Sequence, residues 1–477
     1  MTERWTHEGF EMVVGLEVHV ELDTATKLFS GSANRFGDDP NVHIDPVTLG
    51  LPGALPVLNA RAVELGARIG LALGCTVQAC VFARKNYFYP DMPKAYQISQ
   101  YDKPLNIDGC LALSDGTVIG VERAHLEEDT GKSTHLGGSG RIHGSEGSLI
   151  DFNRAGVPLV EIVSRPDIVS PDQAREYVSE LRAILVAIGA SDARMEEGSM
   201  RVDANVSVRR PGEPLGTRCE IKNVNSVRSL GRAIDAEARR QVALITAGES
   251  VAQQTRHWDE GDGRTHALRS KEDADDYRYF PDPDLVAFVP SPEWIDEVRS
   301  ALPPLPAERR AALAALCGVA PDTEAVMTVV ERGQDAYVAE VARHGADAAR
   351  ALVYVKEAFA ELGDTPRVPA SDLAALVAME SSGAVTATQA KTLLGDLIDA
   401  GGGDPAALAA QRGFEAMDDG ELVALVDAAI AAEPEAWQKY CAGEDKAMGA
   451  LVGHVMKASR GQADGKAVSA LLVSRRS

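Results

Sequence analysis

The sequence predicts an α+β fold, in which an antiparallel sheet with one chemically loaded face is followed by an all-helical remainder. Three observations carry that prediction. Val14, Leu16, Val18, Val20 and Leu22 alternate with Gly15, Glu17, His19 and Glu21, the period of two expected of a strand with one face in a core. The pattern returns in Met200–Val208, with Arg201, Asp203, Asn205 and Ser207 on the polar side, and in Arg218–Asn223, with Arg218, Glu220 and Lys222 in a row. Beyond the prolines at 303, 304 and 306 the chain turns alanine-rich, with little aromatic content. Polar-faced strands followed by plain helices give a sheet domain and then a helical one.

The bulk properties narrow the class. At 477 residues the chain is long enough for two to four domains, since single cores rarely grow past roughly 250 residues. No run of about 18 apolar residues occurs and the first ten residues lack an apolar h-region, so neither a membrane span nor a secretory signal is expected, and cytoplasmic placement is. The six cysteines are scattered with no C-x-x-C pair, which suits buried thiols better than a disulfide frame. A formal charge of -23 speaks against non-specific coating of nucleic acid, which lysine and arginine drive by displacing counterions. The one basic stretch is the end: from His454 on, Lys457, Arg460, Lys466, Arg475 and Arg476 face only Asp464.

Taken in order, the first strand places Glu17, His19 and Glu21 about 6.6 Å apart along one face. Such a row can grip a cation, or can simply wet the outside of an ordinary amphipathic strand. Residues 27–56 read as loop and short strands, punctuated by Gly50, Pro52, Gly53 and Pro56. Asn59 then caps a helix over 60–73, stopped by Gly74. Arg84-Lys85-Asn86-Tyr87-Phe88-Tyr89 mixes cations and aromatics. The cations suit phosphate and the rings a base, although a cluster pinning a loop to the core fits equally. A strand over 118–121 runs into Glu127-Glu128-Asp129 and Gly131-Lys132-Ser133. The last three resemble the end of a P-loop, but the glycine that pattern needs five positions earlier is Leu126. Three successive acids favour a divalent ion or a lysine such as Lys132 among them. Glu161 interrupts the apolar run 157–163, where an unpaired carboxylate would cost several kcal/mol. Ser170-Pro171-Asp172-Gln173 has the form of a capping box for a helix ending by Gly189, and a helix from 225 or 226 to about 247 ends at Gly248. Asp275 to Pro283 forms another aromatic and charged loop.

Seven segments taken together resemble the B subunits of bacterial aspartyl/glutamyl-tRNA amidotransferases. They are GLEVHVEL at 15–22, RKNYFYPDMPKAYQISQYDKP at 84–104, HLEEDTGKSTH at 125–135, MEEGSMRVDANVSVR at 195–209, EIKNVNS at 220–226, DYRYFPDPD at 276–284 and KAMGALVGHVMKASRGQAD at 446–464. The resemblance spans nearly the whole chain in order. It implies a cradle-like catalytic domain over 1–295, similar to glutamine synthetase and guanido kinases, an all-α helical domain over 296–400, and a small helical tail over 401–477 that touches tRNA. It also implies a heterotrimer, whose two other members are an amidase that frees ammonia from glutamine and a small protein that clasps the pair. The B member of such a trimer uses ATP and Mg²⁺ to phosphorylate the carboxylate of glutamate or aspartate misattached to tRNA(Gln) or tRNA(Asn), and ammonia then displaces phosphate. That is the chemistry of a carbon-nitrogen ligase with glutamine as amido donor.

Carried across residue by residue, the family's metal ligands fall on Glu17, His19, Glu128 and Glu161. Lys85, Arg201 and Lys222 are the expected phosphate contacts by charge and position, with Asp203 and Glu220 as further metal or ATP candidates. Glu128 and Lys85 are the expected catalytic pair, and Lys457, Arg460 and Lys466 the expected tRNA contacts. Many relatives carry two cysteine pairs for zinc where this chain has Ser30, Ser32, Asp45 and Thr48, so no structural zinc is expected. Two other classes fit less well. A stand-alone amidase needs a nucleophile with a base, and no G-x-S-x-G elbow is present. A non-catalytic RNA scaffold conflicts with the acidic charge and with the cost of Glu161.

Overall fold

A short strand β1 (Thr6–His7) folds back on β2 (Phe10–Glu21), where Val14, Leu16, Val18 and Val20 are buried and Glu17, His19 and Glu21 half-buried. In this computed structural model the described residues are 3–137, 146–268, 277–359, 367–414, 419–459, 463 and 465–476. The chain forms two units, Met1–Leu305 and Pro306–Ser477. The division falls just past helix Pro292–Ser300, which spans position 295 and lends Val298 to the first core.

Further strands of the first unit are β3 (Thr76–Val77), β4 (Ala83–Asn86), β5 (Tyr96–Ser99), β6 (Asn106–Ala112), β7 (Val118–Glu128), β8 (Lys132–Leu136), β9 (Gly147–Asp151) and β10 (Pro158–Ser164). They continue with β11 (Met200–Arg209), β12 (Cys219–Val224), β13 (Gln254–Asp259), β14 (Arg264–Ala267) and β15 (Phe280–Pro281). The helices are α1 (Ala60–Ala72), α2 (Pro171–Ala187), α3 (Val227–Thr246) and α4 (Pro292–Ser300). Ten strands make one sheet in the order β14-β13-β12-β11-β2-β10-β7-β6-β3, with β1 on β2. A small sheet β15-β4-β5 and a hairpin β8-β9 stand apart from it.

The main sheet is antiparallel with one exception. β12 and β13 run parallel, because α3 carries the chain back between them as a crossover. β7 continues past the expected strand 118–121 to Glu128, and that extension matters for the site. α1, α2 and α3 share one hydrophobic core with the inward residues of β2, β7, β10, β11 and β12, which leaves the opposite face for chemistry. Asn59 caps α1 through the N–H groups of Arg61 and Ala62, and Ser170 caps α2 through that of Gln173. Gln173 does not complete the expected box: its side chain accepts from Val169 N, one residue earlier than the cap.

The second unit is helical throughout its described residues. One core runs from Leu313 to Ala409, spanning helices from Pro306–Cys317 to Pro405–Gln411. Another runs from Leu422 to Leu472, over helices α12 (Asp419–Ala432), α13 (Pro434–Cys441), α14 (Met448–Ala458) and α15 (Gly465–Arg476), once the seven preceding helices are counted as α5 to α11. Gly401, at a φ of 73°, ends the helix Ala387–Ala400, yet Ala409 still packs in the earlier core. No helix among the described residues is long and apolar enough to cross a membrane.

Candidate active site on the outer sheet face

Register across four strands builds the site. Glu161 on β10 stands opposite His125 on β7 and His19 on β2, and His19 stands opposite Arg201 on β11. Neighbouring strands lie about 4.8 Å apart, so the four side chains form one line across the face. One step along β7 on the same side is Glu127. His19 Nε2 lies 3.7 Å from both Glu127 Oε1 and Glu161 Oε2. One ligand atom from each of His19, Glu127 and Glu161 falls within 4.8 Å of the others. His125 Nε2 approaches Glu161 Oε2 from the other side at 3.4 Å.

Burial would raise the Glu161 carboxyl, but His125, His19, Lys85 and Arg123 outweigh it and hold it well below the usual carboxylate range. Burial pushes the His125 imidazole down, against the pull of Glu161 and Glu127. Glu161 is therefore held as an anion. The apparent cost of an acid in an apolar run is met by neighbours that only the register reveals.

Lys85 reaches the cluster from β4. Its burial works against the charge, yet Glu127, Tyr279 and Glu161 hold it above its ordinary value, and its Nζ sits 4.9 Å over the ring of Tyr277. Tyr279 in turn stacks on Tyr101 at 4.3 Å. The neighbouring Arg84 is spent on the loop: its Nε donates to Asp282 at 2.8 Å and an Nη to Asp284 at 2.9 Å. The cation-aromatic segment thus divides, Arg84 pinning and Lys85 facing the acids. Asp275 and Asp276 lie outside the described residues.

The three successive acids separate, each to its own partners. Glu127 meets His19, whereas Glu128 turns to the other face, buried, where it accepts from Ile98 N at 2.7 Å and pairs with Lys94. Asp129 pairs with Arg201 at 2.9 Å and Arg154 at 3.4 Å. Lys132 is not among the partners. Of the expected ion ligands, His19 and Glu161 therefore come together with Glu127 as their third member, and Glu128 does not join them. Glu17 stands further along, opposite Asp203, and accepts from Asn205 at 2.9 Å. Beside it, Lys222 Nζ lies 2.7 Å from Asp203 and 3.5 Å from Glu220, while Glu220 also accepts from Thr255 at 2.8 Å. Burial lowers the Lys222 ammonium, but Asp203 and Glu220 outweigh it and hold it above its ordinary value. Glu21 completes the floor, its carboxyl pushed up by burial and by Asp129 against Arg201 and Arg154.

Sequence reasoning named Glu127 only as one of three successive acids, and missed His125 and Arg154 as members of this face. A signal existed for the placing of Glu127 and His125. Once β7 is taken through residue 128, the period of two puts His125 and Glu127 on one side and Leu126 and Glu128 on the other. Arg154 lies on a turn and carried no such signal.

The four positions discussed for zinc are tied by hydrogen bonds. Asp45 accepts from Thr48 N at 2.8 Å and Ser32 N donates to Ser30 Oγ at 3.4 Å, while the buried Lys27 donates from Nζ to the carbonyls of His43 at 2.6 Å and Phe152 at 3.2 Å. Besides His19–Glu127–Glu161, Asp259, Asp262 and His266 also cluster, at the outer β13–β14 turn. In the tail, Lys457 is exposed, whereas Arg460 and the side chain of Lys466 lie outside the described residues.

Known proteins share this chain's two-part organisation. Residues 12–296 match the family model described as the GatB/GatE catalytic domain, and 338–475 match the one described as the GatB domain. The chain is 48% identical to the B subunit of the aspartyl/glutamyl-tRNA(Asn/Gln) amidotransferase of Kineococcus radiotolerans, over 98% of this chain and 97% of that protein. The like-named proteins of Salinispora arenicola and Corynebacterium glutamicum are also 48% identical, over 98% of this chain and 96% and 98% of theirs.

Proposed function

The chain belongs to the family of aspartyl/glutamyl-tRNA(Asn/Gln) amidotransferase B subunits, and from that premise we propose how its outer sheet face serves the reaction. The protein works in a glutamine-dependent, ATP-using ligase that converts Glu-tRNA(Gln) or Asp-tRNA(Asn) to the amide. A separate amidase supplies the ammonia, and a small third protein completes the heterotrimer.

A carboxylate resists ammonia because its oxygen leaves poorly, and phosphorylation by ATP supplies the leaving group. His19, Glu127 and Glu161 are the residues that hold a divalent cation. His19 Nε2, 3.7 Å from an oxygen of each carboxylate, suits an ion with ligands at roughly 2.1 Å. A bound Mg²⁺ neutralises charge on the phosphoryl group in transfer. Lys85, kept charged by Glu127 and Glu161, stands ready beside it for a phosphate oxygen. Arg201 is held in line by Asp129 and Lys222 by Asp203, so both present guanidinium or ammonium protons along the same floor. Glu17, Asp203 and Glu220 are the further acids that would balance a cation carried in with the nucleotide. On this reading the sheet is the cradle, and its stiffness supplies the alignment that phosphoryl transfer needs.

The observation that carries the proposal is the convergence of His19, Glu127 and Glu161 from three strands. The test uses the complete enzyme with misacylated tRNA. Glu161→Gln lowers Mn²⁺ affinity by more than the roughly 10–100-fold that loss of an outer partner costs, and abolishes ATP-dependent amide formation while tRNA still binds. Unchanged Mn²⁺ affinity in that variant overturns the assignment.

A further inference from the structure

One buried histidine touches the ion-binding cluster without belonging to it. His125 is 5% exposed, and its Nε2 lies 3.4 Å from Glu161 Oε2, the oxygen that His19 Nε2 approaches at 3.7 Å from the strand on the opposite side. Its Nδ1 is buried with no hydrogen-bond partner. It is not one of the three donors that converge within 4.8 Å. A buried polar ring with one nitrogen unpaired is a cost, of order 1–3 kcal/mol for the orphan atom. An apolar residue at this place in β7, between Ala124 and Leu126, would avoid that cost.

What the ring offers in return is a nitrogen 3.4 Å from a carboxylate oxygen. Of the two neutral tautomers, the one protonated at Nε2 gives Glu161 a hydrogen-bond donor, and the other sets a lone pair against an anion. A carboxylate that binds an ion through one edge swings freely unless something holds it, and outer partners of this kind tune affinity in other metal sites. We propose that His125 is a positioning residue that fixes the Glu161 carboxylate through Oε2 from the neighbouring strand β7, so that it enters the ion site already oriented. This rests on the reading of His19, Glu127 and Glu161 as ion ligands.

The test is Mn²⁺ titration of the complete enzyme, followed by electron paramagnetic resonance, with wild type, His125→Gln, His125→Asn, His125→Leu and Glu161→Gln in parallel. The Gln amide nitrogen can stand near the position of Nε2, whereas that of Asn is too short and Leu has none. The expected result is affinity within about threefold of wild type for Gln, and roughly 10–100-fold weaker for Asn and Leu. Thermal unfolding without added metal should not follow that order, because a merely structural role would penalise Gln and Asn alike. Equal affinities for Gln and Asn, or a Leu variant that binds as wild type does, overturn the positioning role. Should Leu fail to fold, the Gln and Asn pair still decides. Failure of the underlying reading looks different, since wild type would then bind no Mn²⁺ or Glu161→Gln would bind as tightly as wild type.

Discussion

Glu127 and Glu128 are neighbours in the chain and strangers in space. Glu127 lies with His19 and Glu161, while Glu128 anchors β5 through Ile98 N and meets the buried Lys94. Neutralising each should separate two kinds of loss. Glu127→Gln is expected to weaken Mn²⁺ binding by tenfold or more with little change in unfolding. Glu128→Gln should leave Mn²⁺ affinity within about threefold and cost about 3 kcal/mol, because it strands a buried cation. Mn²⁺ titration and denaturant unfolding of both variants read the two effects side by side. Lys27 poses the opposite question, a cation buried from the start. Burial pulls its pKa down to about 8, only partly offset by Asp45, Glu128 and Asp151. Removing the charge would recover about 3 kcal/mol, but two carbonyls that accept from an ammonium would each forfeit about 1.5–3 kcal/mol. Lys27→Met is therefore expected to destabilise the loop 27–48 on balance. Since the folded value lies below the unfolded one, the unfolded chain binds more protons between about pH 8 and 10.5. Wild-type stability thus gains as pH rises through that window, and the gap to Lys27→Met widens. Unfolding of both proteins at pH 7.5 and 9.5 tests the sign.

At the scale of elements, close approach decides where helices meet the sheet. Gly70 lies in the last turn of α1, where alanine would ordinarily gain up to about 1 kcal/mol in helix propensity. Here an added Cβ would stand 2.0 Å from Asn106 Oδ1. Asn106 cannot yield, because its Nδ2 donates to Gly66 O at 3.0 Å and Ala124 O at 2.9 Å, tying α1 and β7 to β6. Gly70→Ala is expected to destabilise by about 1–3 kcal/mol, whereas Gly395→Ala, with nothing within 4 Å, should stabilise its helix by a few tenths to about 1 kcal/mol. Hydrogen exchange along the two helices measures both signs. The same distinction explains what could be read from the sequence. β2 and β11 were legible because one face of each is buried, which writes a period of two into the residues. Helix starts at Asn59, Ser170 and Ser226 were legible because capping is local. The parallel pairing of β12 with β13 was not, since it follows from where α3 returns the chain. Nor was the parting of Glu127 from Glu128 to opposite sides, which depends on β7 keeping its phase to its last residue. His19 and Glu161, singled out from the sequence, lie 3.7 Å apart, but the register that sets His125 opposite Glu161 is long-range and leaves no trace nearby.

At the scale of the whole molecule, charge is the organising fact. With a formal charge of -23, the chain repels polyanions on average, so tRNA must meet it through local cations. The basic end of the sequence is the natural place, but its charges are not equally available. Arg475 pairs with Asp427 at 3.0 Å and Arg476 with Asp445 at 2.7 Å, while Lys457 is exposed near the end of α14. Cutting the chain after Gly453 would be a poor test of that idea. It would remove Val455, Val468 and Leu472 from the last core and so unfold the tail along with its charge. Reversing one charge avoids this, because Lys457 contributes nothing to that core. We expect Lys457→Glu to weaken tRNA binding, and to flatten the dependence of log affinity on log salt by about one unit or somewhat more, as loss of a phosphate contact does. Amide formation at saturating tRNA should be preserved, since His19, Glu127 and Glu161 belong to the other unit. If affinity and salt slope both stay at wild-type values while the tail core remains folded, Lys457 has no phosphate contact. The tRNA would then have to be held by cations of the sheet domain, where Arg201 and Lys222 already lie paired with acids.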